Sequence, residues 1–524
     1  MKKIVMPAPM QLIGLFWLCQ ACTAISQNNQ PKINYTISIP NPASHSYHIR
    51  LETSGWNADE LTLKLPQWMP GYYQVMHYAK GLENISAKNH SGKSVSLEKS
   101  NENTFIIKGI RQSKLSIEYD MKTDRQFVAN SYVDSSRAYI IPANTFLYPD
   151  GYIQLPVSVK IDLPARWNKI ATGLDPVNAK TNEYTASDFD ILYDCPILIG
   201  DLEELPSFKV KGIEHRFIGY HLGQFDRTLF MDKLNKVVAS AINIIGDIPY
   251  KQYTFIAIGP GRGGIEHLNN TSFGFDGSQL NTPEAVTRVL NFLAHEYFHH
   301  YNVKRIRPFE LGPFDYDQGS RTNLLWVSEG LSVYYEYMIV KRAGLVDEET
   351  LLAEFSKNLN TVENNPGRHF QSLAQASYNT WQDGPFGTQR EEKGKTISYY
   401  DKGPLVGLLL DLEIRHATQN KKSLDDVMQQ LYWNYYKTKH RGFTDAEFQQ
   451  TCESVAETSL AKIFEYVHTT QELDYKTYLN YAGLTVEDAS EPTSDKTSKK
   501  NLRIVRQNQL DDGQTALLKS WLKE

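Results

Sequence analysis

LNFLAHEYFHHYN, running from Leu290 to Asn302, is the stretch on which the reading of the whole chain turns. It contains His295-Glu296-Tyr297-Phe298-His299, an HExxH pattern. On a helix, residues i and i+4 lie one above the other, so both imidazoles can reach one metal ion. Glu296, beside the first of them, can face a water held there and act as its general base. The flanking residues supply the helix. Asn281-Thr282-Pro283-Glu284 reads as an N-cap, a first-turn proline and an early acid, and Val286, Val289, Leu290, Leu293 and Phe298 recur at near-helical spacing. The chemistry implied is zinc-dependent hydrolysis.

Two histidines do not complete a hydrolytic zinc site, which takes three protein ligands and one open position. Glu329, in Trp326-Val-Ser-Glu329-Gly-Leu-Ser-Val-Tyr-Tyr335, is the best third ligand, because it opens a second helical pattern after an irregular loop from Pro308 to Arg321. His300 and His267 compete for the role. His300 is rotated about one helical step from His299, and using both would distort the turn. Ser332 and Glu336, farther along the Glu329 helix, are candidates for orienting the imidazoles.

Outward from this centre, 524 residues are enough for several cores. Lys and Arg number 55 against 60 Asp and Glu, a net charge of −5. No basic cluster recurs with aromatic residues, so nucleic acid is excluded as a partner. From about residue 32 to 205, β-type runs alternate with turn signals: Tyr35–Ile39, Ser46–Leu51, Leu61–Leu65, Thr104–Lys108, Lys114–Tyr119 and Ile153–Ile161. Beyond Pro206 come a strand at Arg216–Tyr220, a helix around Phe225–Ile245 and a strand at Tyr253–Ile258. Amphipathic segments follow at Val327–Ala343, Thr350–Asn360, Pro404–Ala417, Leu424–Tyr436 and Asp445–Val455.

The first 26 residues read as an export signal, with Lys2 and Lys3, a short apolar stretch from Leu12 to Cys19, and the small-x-small site Ala24-Ile25-Ser26. The expected destination is periplasmic or extracellular. Cys22 would add a lipid anchor only if it were acylated. No transmembrane helix is expected in the mature chain. Cys195 and Cys452 would remain, to form one disulfide or stay as two buried thiols.

Two further motifs surround the metal pattern. Gly261-Arg-Gly-Gly264-Ile-Glu266-His267 follows the Tyr253–Ile258 run, where glycines let backbone approach a ligand and Glu266 could pair with an ammonium group. Taken alone, it is equally a glycine-rich turn with a stray acid. Ile397-Ser-Tyr-Tyr400-Asp-Lys402-Gly403 offers a phenol that could donate to an oxyanion, or one that merely packs.

Together AHEYFHHYN, RIRPFELGPFDYD, LLWVSEGLSVYYE, the GGIEH turn and YYDKGPLVGLLLDLEIR resemble the glycyl aminopeptidase family of gluzincin metallopeptidases, relatives of the alanyl aminopeptidases and leukotriene hydrolase. Leu65-Pro-Gln-Trp68-Met-Pro70-Gly71-Tyr-Tyr73 and Tyr193-Asp-Cys-Pro196 extend the similarity into the N-terminal half, so that it covers roughly residues 32 to 485. The resemblance implies a multidomain α+β chain. Its parts would be a β-sandwich-like domain (27–205), a thermolysin-like catalytic domain (206–345) and a helical domain (346–485), with a polar linker and short tail over 486–524.

It also implies roles. One zinc ion would be held by His295, His299 and Glu329, Glu296 would be the general base, and Tyr400 would stabilise the oxyanion. Glu266 would bind the substrate's free amine, with Gly263 and Gly264 against the peptide. The expected activity is removal of small N-terminal residues, Gly or Ala, from peptides. An endopeptidase is the rival within the class, and an inactive zinc-containing surface binding protein the rival outside it. Members of this family usually carry a PDZ domain after the helical part. Only about forty residues follow Gly483, less than an ordinary domain, so none is expected here.

Overall fold

The computed structural model describes residues 30–111, 113–177, 181–490 and 499–523. The expected export signal and Cys22 lie outside the described residues. Among the described residues no helix is long and apolar enough to cross a membrane.

The N-terminal part is built from sheets. Strands Lys32–Ser38, Ser46–Ser54, Leu115–Lys122 and Leu82–Asn89 pair antiparallel in that order. Val157–Asp162 adds to the free edge of Lys32–Ser38 in parallel and continues into Glu183–Ala186 and Asp175–Pro176. Alternation explains the arrangement: Ile33, Tyr35 and Ile37, then Ile49 and Leu51, then Leu115, Ile117 and Tyr119 all point into one core. Two four-stranded sheets, one containing Glu60–Lys64 and Thr104–Lys108 and the other Arg137–Ile140 and Ile197–Gly200, bury their apolar faces in the same core. The expected run Ile153–Ile161 is shorter than its composition suggests. Pro156 has no N–H for a ladder and Gly151 turns the chain at φ +78°, so the strand begins at Val157.

A further sheet carries the catalytic side. Ile213–Gly219, Gln252–Ala257 and Asn270–Phe273 run parallel, and Gly264–Glu266 closes the edge antiparallel to the last. Helices Arg227–Ile245 and Pro283–Phe298 pack beside it, Leu331–Arg342 packs on both of them, and Glu348–Glu363 and Tyr399–Ala417 pack on Leu331–Arg342 in one continuous core, while Ile218, Ile256, Ile258 and Ile265 join the core of the N-terminal part.

Three helical expectations need adjustment. Val327 does not begin an α-helix: Trp326–Gly330 is a π turn, and the α-helix starts at Leu331. The cause is close packing, since a Cβ on Gly330 would stand 2.7 Å from the Gly403 backbone. The helix expected from Pro404 starts at Tyr399, with Pro404 inside it. The proline cannot donate to the Tyr400 carbonyl, and Asn358 Nδ2 takes that acceptor at 3.5 Å. Leu424–Gln430 is α-helical, but Leu431–Lys439 continues as a π-helix.

The expected short tail is part of the fold. Leu484–Asp488 pairs with Leu502–Arg506, and helix Asp512–Leu522 buries Leu517, Leu518, Trp521 and Leu522 as one face in the catalytic core. Trp521 Nε1 donates to the Tyr334 hydroxyl at 3.0 Å. Cys195 and Cys452 are both buried and unpaired.

Candidate metal and peptide site

Thr282 caps the HExxH helix through its side chain, accepting from Ala285 N at 3.2 Å, with Pro283 in the first turn. The helix ends at Phe298, so His299 is its C-cap. There the chain turns to bring the Asn302 carbonyl within 2.7 Å of His299 Nδ1. A carbonyl only accepts, so Nδ1 carries the proton and Nε2 is left bare. At His295, Nδ1 lies 2.9 Å from Glu336 Oε2, an acid whose charge favours a proton on that nitrogen. Asn302 Nδ2 donates to the Val327 carbonyl at 2.8 Å and ties this helix end to the π turn that presents Glu329.

Three donors converge as a result. His295 Nε2 and His299 Nε2 are 2.9 Å apart, and Glu329 Oε2 is 3.2 Å from the second and 3.6 Å from the first. Ligands about 2.0–2.2 Å from a tetrahedral zinc stand about 3.3–3.6 Å from one another; the 3.6 Å pair meets that spacing, and the 2.9 and 3.2 Å pairs are a few tenths of an ångström tighter, so a small outward shift of the two imidazoles would seat that ion. The charge fits as well. Glu266, Glu296, Glu329 and Glu336 gather around two imidazoles, and the first three are at most 5% exposed. Burial opposes charge on His295, yet Glu329 and Glu336 outweigh it and raise the imidazole well above its ordinary value. A divalent cation held by His295, His299 and Glu329 would supply positive charge to balance these acids.

The other expected residues surround this centre. Burial pushes Glu296 up to about 7, the two imidazoles opposing and Glu266 and Glu329 adding. Its carboxylate lies against Gly264, where a Cβ would stand 2.6 Å from Glu296 Cδ, and its Oε2 is 3.4 Å from Thr271 Oγ1. The Tyr400 hydroxyl donates to Glu329 Oε2 at 2.9 Å. Gly263, at φ +84°, and Gly264 line a cleft of about 1200 Å³ together with His295, Glu296, Glu336 and Tyr400. Glu266 ends the edge strand, 4% exposed, and its Oε1 has no hydrogen-bond partner. Ser332 donates to the Ser328 carbonyl and sits 3.4 Å from His299 Nδ1.

Neither competing histidine joins the cluster. His300 is enclosed by the rings of Tyr250, Tyr297 and Tyr301, and burial holds its imidazole well below the usual value. His267 turns its Nδ1 to Asp194, 3.2 Å away.

Four contributors were not visible in the spacing. Asn302 acts through its carbonyl, and Asp194, Gly71 and Tyr73 come from the β domain. Asp194 Oδ2 accepts from Leu268 N and its Oδ1 lies 2.8 Å from Lys304 Nζ, pinning the turn after Glu266. A Cβ on Gly71 would stand 2.8 Å from Glu266 Oε2. Gly71, in Leu65–Tyr73, and the aspartate in Tyr193-Asp-Cys-Pro196 stand in recognisable motifs, but nothing local connects them to a site seventy to two hundred residues away.

This fold and this site define a zinc metallopeptidase. Residues 34–201 match the model of the peptidase M61 N-terminal domain, and residues 288–406 match that of the M61 glycyl aminopeptidase, together more than half of the chain. The chain belongs to the M61 glycyl aminopeptidase family. Among solved structures it is similar to an aminopeptidase N family protein from Idiomarina loihiensis, at 26% identity and a TM-score of 0.82, over 87% of this chain and 79% of that one. An M1 zinc metallopeptidase from Deinococcus radiodurans shares the fold at 14% identity and a TM-score of 0.52, over 84% and 95% of the two chains. A mutant of that enzyme has been solved with a Tyr-Ser-Ala substrate bound. No curated protein sequence matches the chain.

Proposed function

We propose that this chain is an aminopeptidase that removes small N-terminal residues, Gly or Ala, from peptides, on a thermolysin-like catalytic domain. His295, His299 and Glu329 would hold a single zinc ion. When bound, zinc supplies Lewis acidity, lowering the pKa of water and polarising a carbonyl.

Within that frame Glu296 takes the proton of the attacking water and delivers it to the leaving amine, from its place in the cleft beside His295. Tyr400, whose hydroxyl now donates to Glu329, turns to the oxygen on which negative charge develops. Gly264 leaves room for the Glu296 carboxylate, and Gly263 shapes the turn beside the peptide.

The observation that carries the exopeptidase reading is Glu266. It is a buried carboxylate with one oxygen unpartnered among the described residues, and it directly follows Gly263, Gly264 and Ile265, which line the cleft. An unpaired buried charge is costly, and a substrate ammonium would satisfy it. The endopeptidase alternative leaves that oxygen unexplained. The test compares Gly-amide peptides with their N-acetylated forms in wild type and Glu266→Gln. Free-amine peptides should be strongly preferred by wild type, and Glu266→Gln should lose that preference; equal cleavage of both forms by wild type would replace this reading with the endopeptidase.

A further inference from the structure

Trp68-Met-Pro-Gly-Tyr-Tyr73 is a motif of the resemblance for which the mechanism above has no use. It belongs to the β domain by sequence, yet Trp68 and Tyr73 are buried in the catalytic core. At Gly71 the backbone has φ +95° and lies directly over the amine anchor, since a Cβ would meet both Glu266 carboxylate oxygens at 2.8 and 3.0 Å. Tyr73, two residues on, is 7% exposed and lines the cleft.

The ring of Tyr73 is fixed. It packs against Trp68 at 6.4 Å and Trp381 at 6.5 Å, and those two indoles meet edge to face at 5.1 Å. Thr380, beside Trp381, shares a 3.0 Å hydrogen bond with the hydroxyl of Tyr399, the neighbour of Tyr400. So Tyr73 touches the anchor side through Gly71 and the zinc side through Trp381 and Thr380. Gln74 Nε2 donates to Gln389 Oε1 at 2.8 Å and ties the loop to the opposite wall. Phe386 on that wall lies 5.4 Å from the Tyr400 ring. Burial first, then Glu329 and Glu266, raise the Tyr73 phenol, consistent with a hydroxyl near both acids.

Only one carbon separates a peptide's amine from its first carbonyl. If Glu266 holds the amine and the triad marks the carbonyl, the first side chain has to project from the short gap between them. We propose that Tyr73 is the specificity-determining residue for that side chain, its ring filling the space into which anything longer than a methyl group would extend. The proposal rests on the reading of Glu266 as the amine anchor. A rigid wall discriminates well: one excess methylene in a closed pocket is worth about 10–200-fold.

The experiment uses the zinc-loaded full chain and the 4-nitroanilides of Gly, Ala, Leu and Phe, with kcat/KM measured for wild type, Tyr73→Ala and Tyr73→Phe. Tyr73→Ala should raise the Leu-to-Gly and Phe-to-Gly ratios by about tenfold or more, the factor expected for a methylene-sized relief. Tyr73→Phe, which keeps the ring, should hold the wild-type ratios. Unchanged ratios in a Tyr73→Ala protein that keeps its zinc and its melting temperature would overturn the proposal, and so would a wild type that takes Leu as readily as Gly. If Tyr73→Ala loses zinc or melts early, the same ratios are read in Tyr73→Leu, with the same two outcomes. Failure of the underlying reading is distinguishable, because it appears as wild-type cleavage of N-acetylated peptides, whatever the ratios.

Discussion

The two walls of the cleft are made differently. One is a set of helices, Pro283–Phe298, Leu331–Arg342 and Tyr399–Ala417, whose site residues lie within a turn or two of each other. The other is an edge strand, Gly264–Glu266, propped from behind by Asp194 and covered by Gly71 and Tyr73 of the β domain. The helical wall carries the chemistry and would tolerate no displacement of its donors. On the proposed reading, the strand wall selects which peptide is admitted. Substitutions on the first should therefore abolish turnover, and those on the second should change what is turned over or how firmly it is held.

Glu296→Gln is the largest expected effect and the sharpest test of the helical wall. The amide cannot accept the water's proton, so kcat should fall by about 10³-fold with zinc content unchanged. A rate within tenfold of wild type would remove Glu296 from the mechanism. Gly264→Ala tests where the two walls touch. The new methyl would lie 2.6 Å from the Glu296 carboxylate and 2.9 Å from Phe292 Cζ, so the buried carboxylate has to shift to make room. A displacement of the base by about 1 Å costs about 10²-fold in kcat, while metal content should stay unchanged. If KM alone rises, Gly264 serves the peptide and not the base.

How much of this was legible depends on the wall. The helical side could be read because its cues are local: a proline and a threonine at the helix start, two histidines four apart, and an acid opening the next apolar pattern. Even there Glu329 reaches the cluster through a π turn that periodicity cannot express, since it depends on Gly330 meeting Gly403 seventy residues later. The strand side offered a glycine-rich turn with an acid, which by itself says little. Its meaning comes from neighbours at positions 71, 73 and 194, joined to it only by tertiary packing. Leu484–Asp488 and Leu502–Arg506 were obscured for a similar reason, because the stretch between them read as a polar linker and the pairing of the two strands is not local.

Glu336→Gln probes the support behind the first histidine. The Glu336 carboxylate faces His295 Nδ1 at 2.9 Å, and an amide can present its nitrogen or a weaker acceptor there. Zinc affinity, measured by competition with a chelator, should weaken by about 10–100-fold, while kcat of the fully loaded enzyme changes less. Unchanged affinity would mean that the helices alone orient the imidazole.

Asp194→Asn has the smallest expected effect on turnover and bears most directly on the strand wall. Burial by itself would raise this carboxyl, but Lys304 and His267 overcome it and hold it at about 2. A group depressed on folding stabilises the native state above its unfolded value, near 3.9, and that contribution is lost as pH falls toward 2. The stability difference between wild type and Asp194→Asn, on the order of 2 kcal/mol, should thus be full at pH 5 and above and shrink between about 4 and 2. Function should change in a distinct way. Lys304 is nearly buried, and after Asp194 the next acid that acts on it is Glu266. Freed from Asp194, the ammonium would turn toward Glu266 and occupy the place of the substrate's own, so KM for free-amine peptides should rise severalfold with kcat nearly constant. A fall in kcat at constant KM would instead mean that Asp194 holds the edge strand for the sake of Glu296, and that the two walls are less separate than their construction suggests.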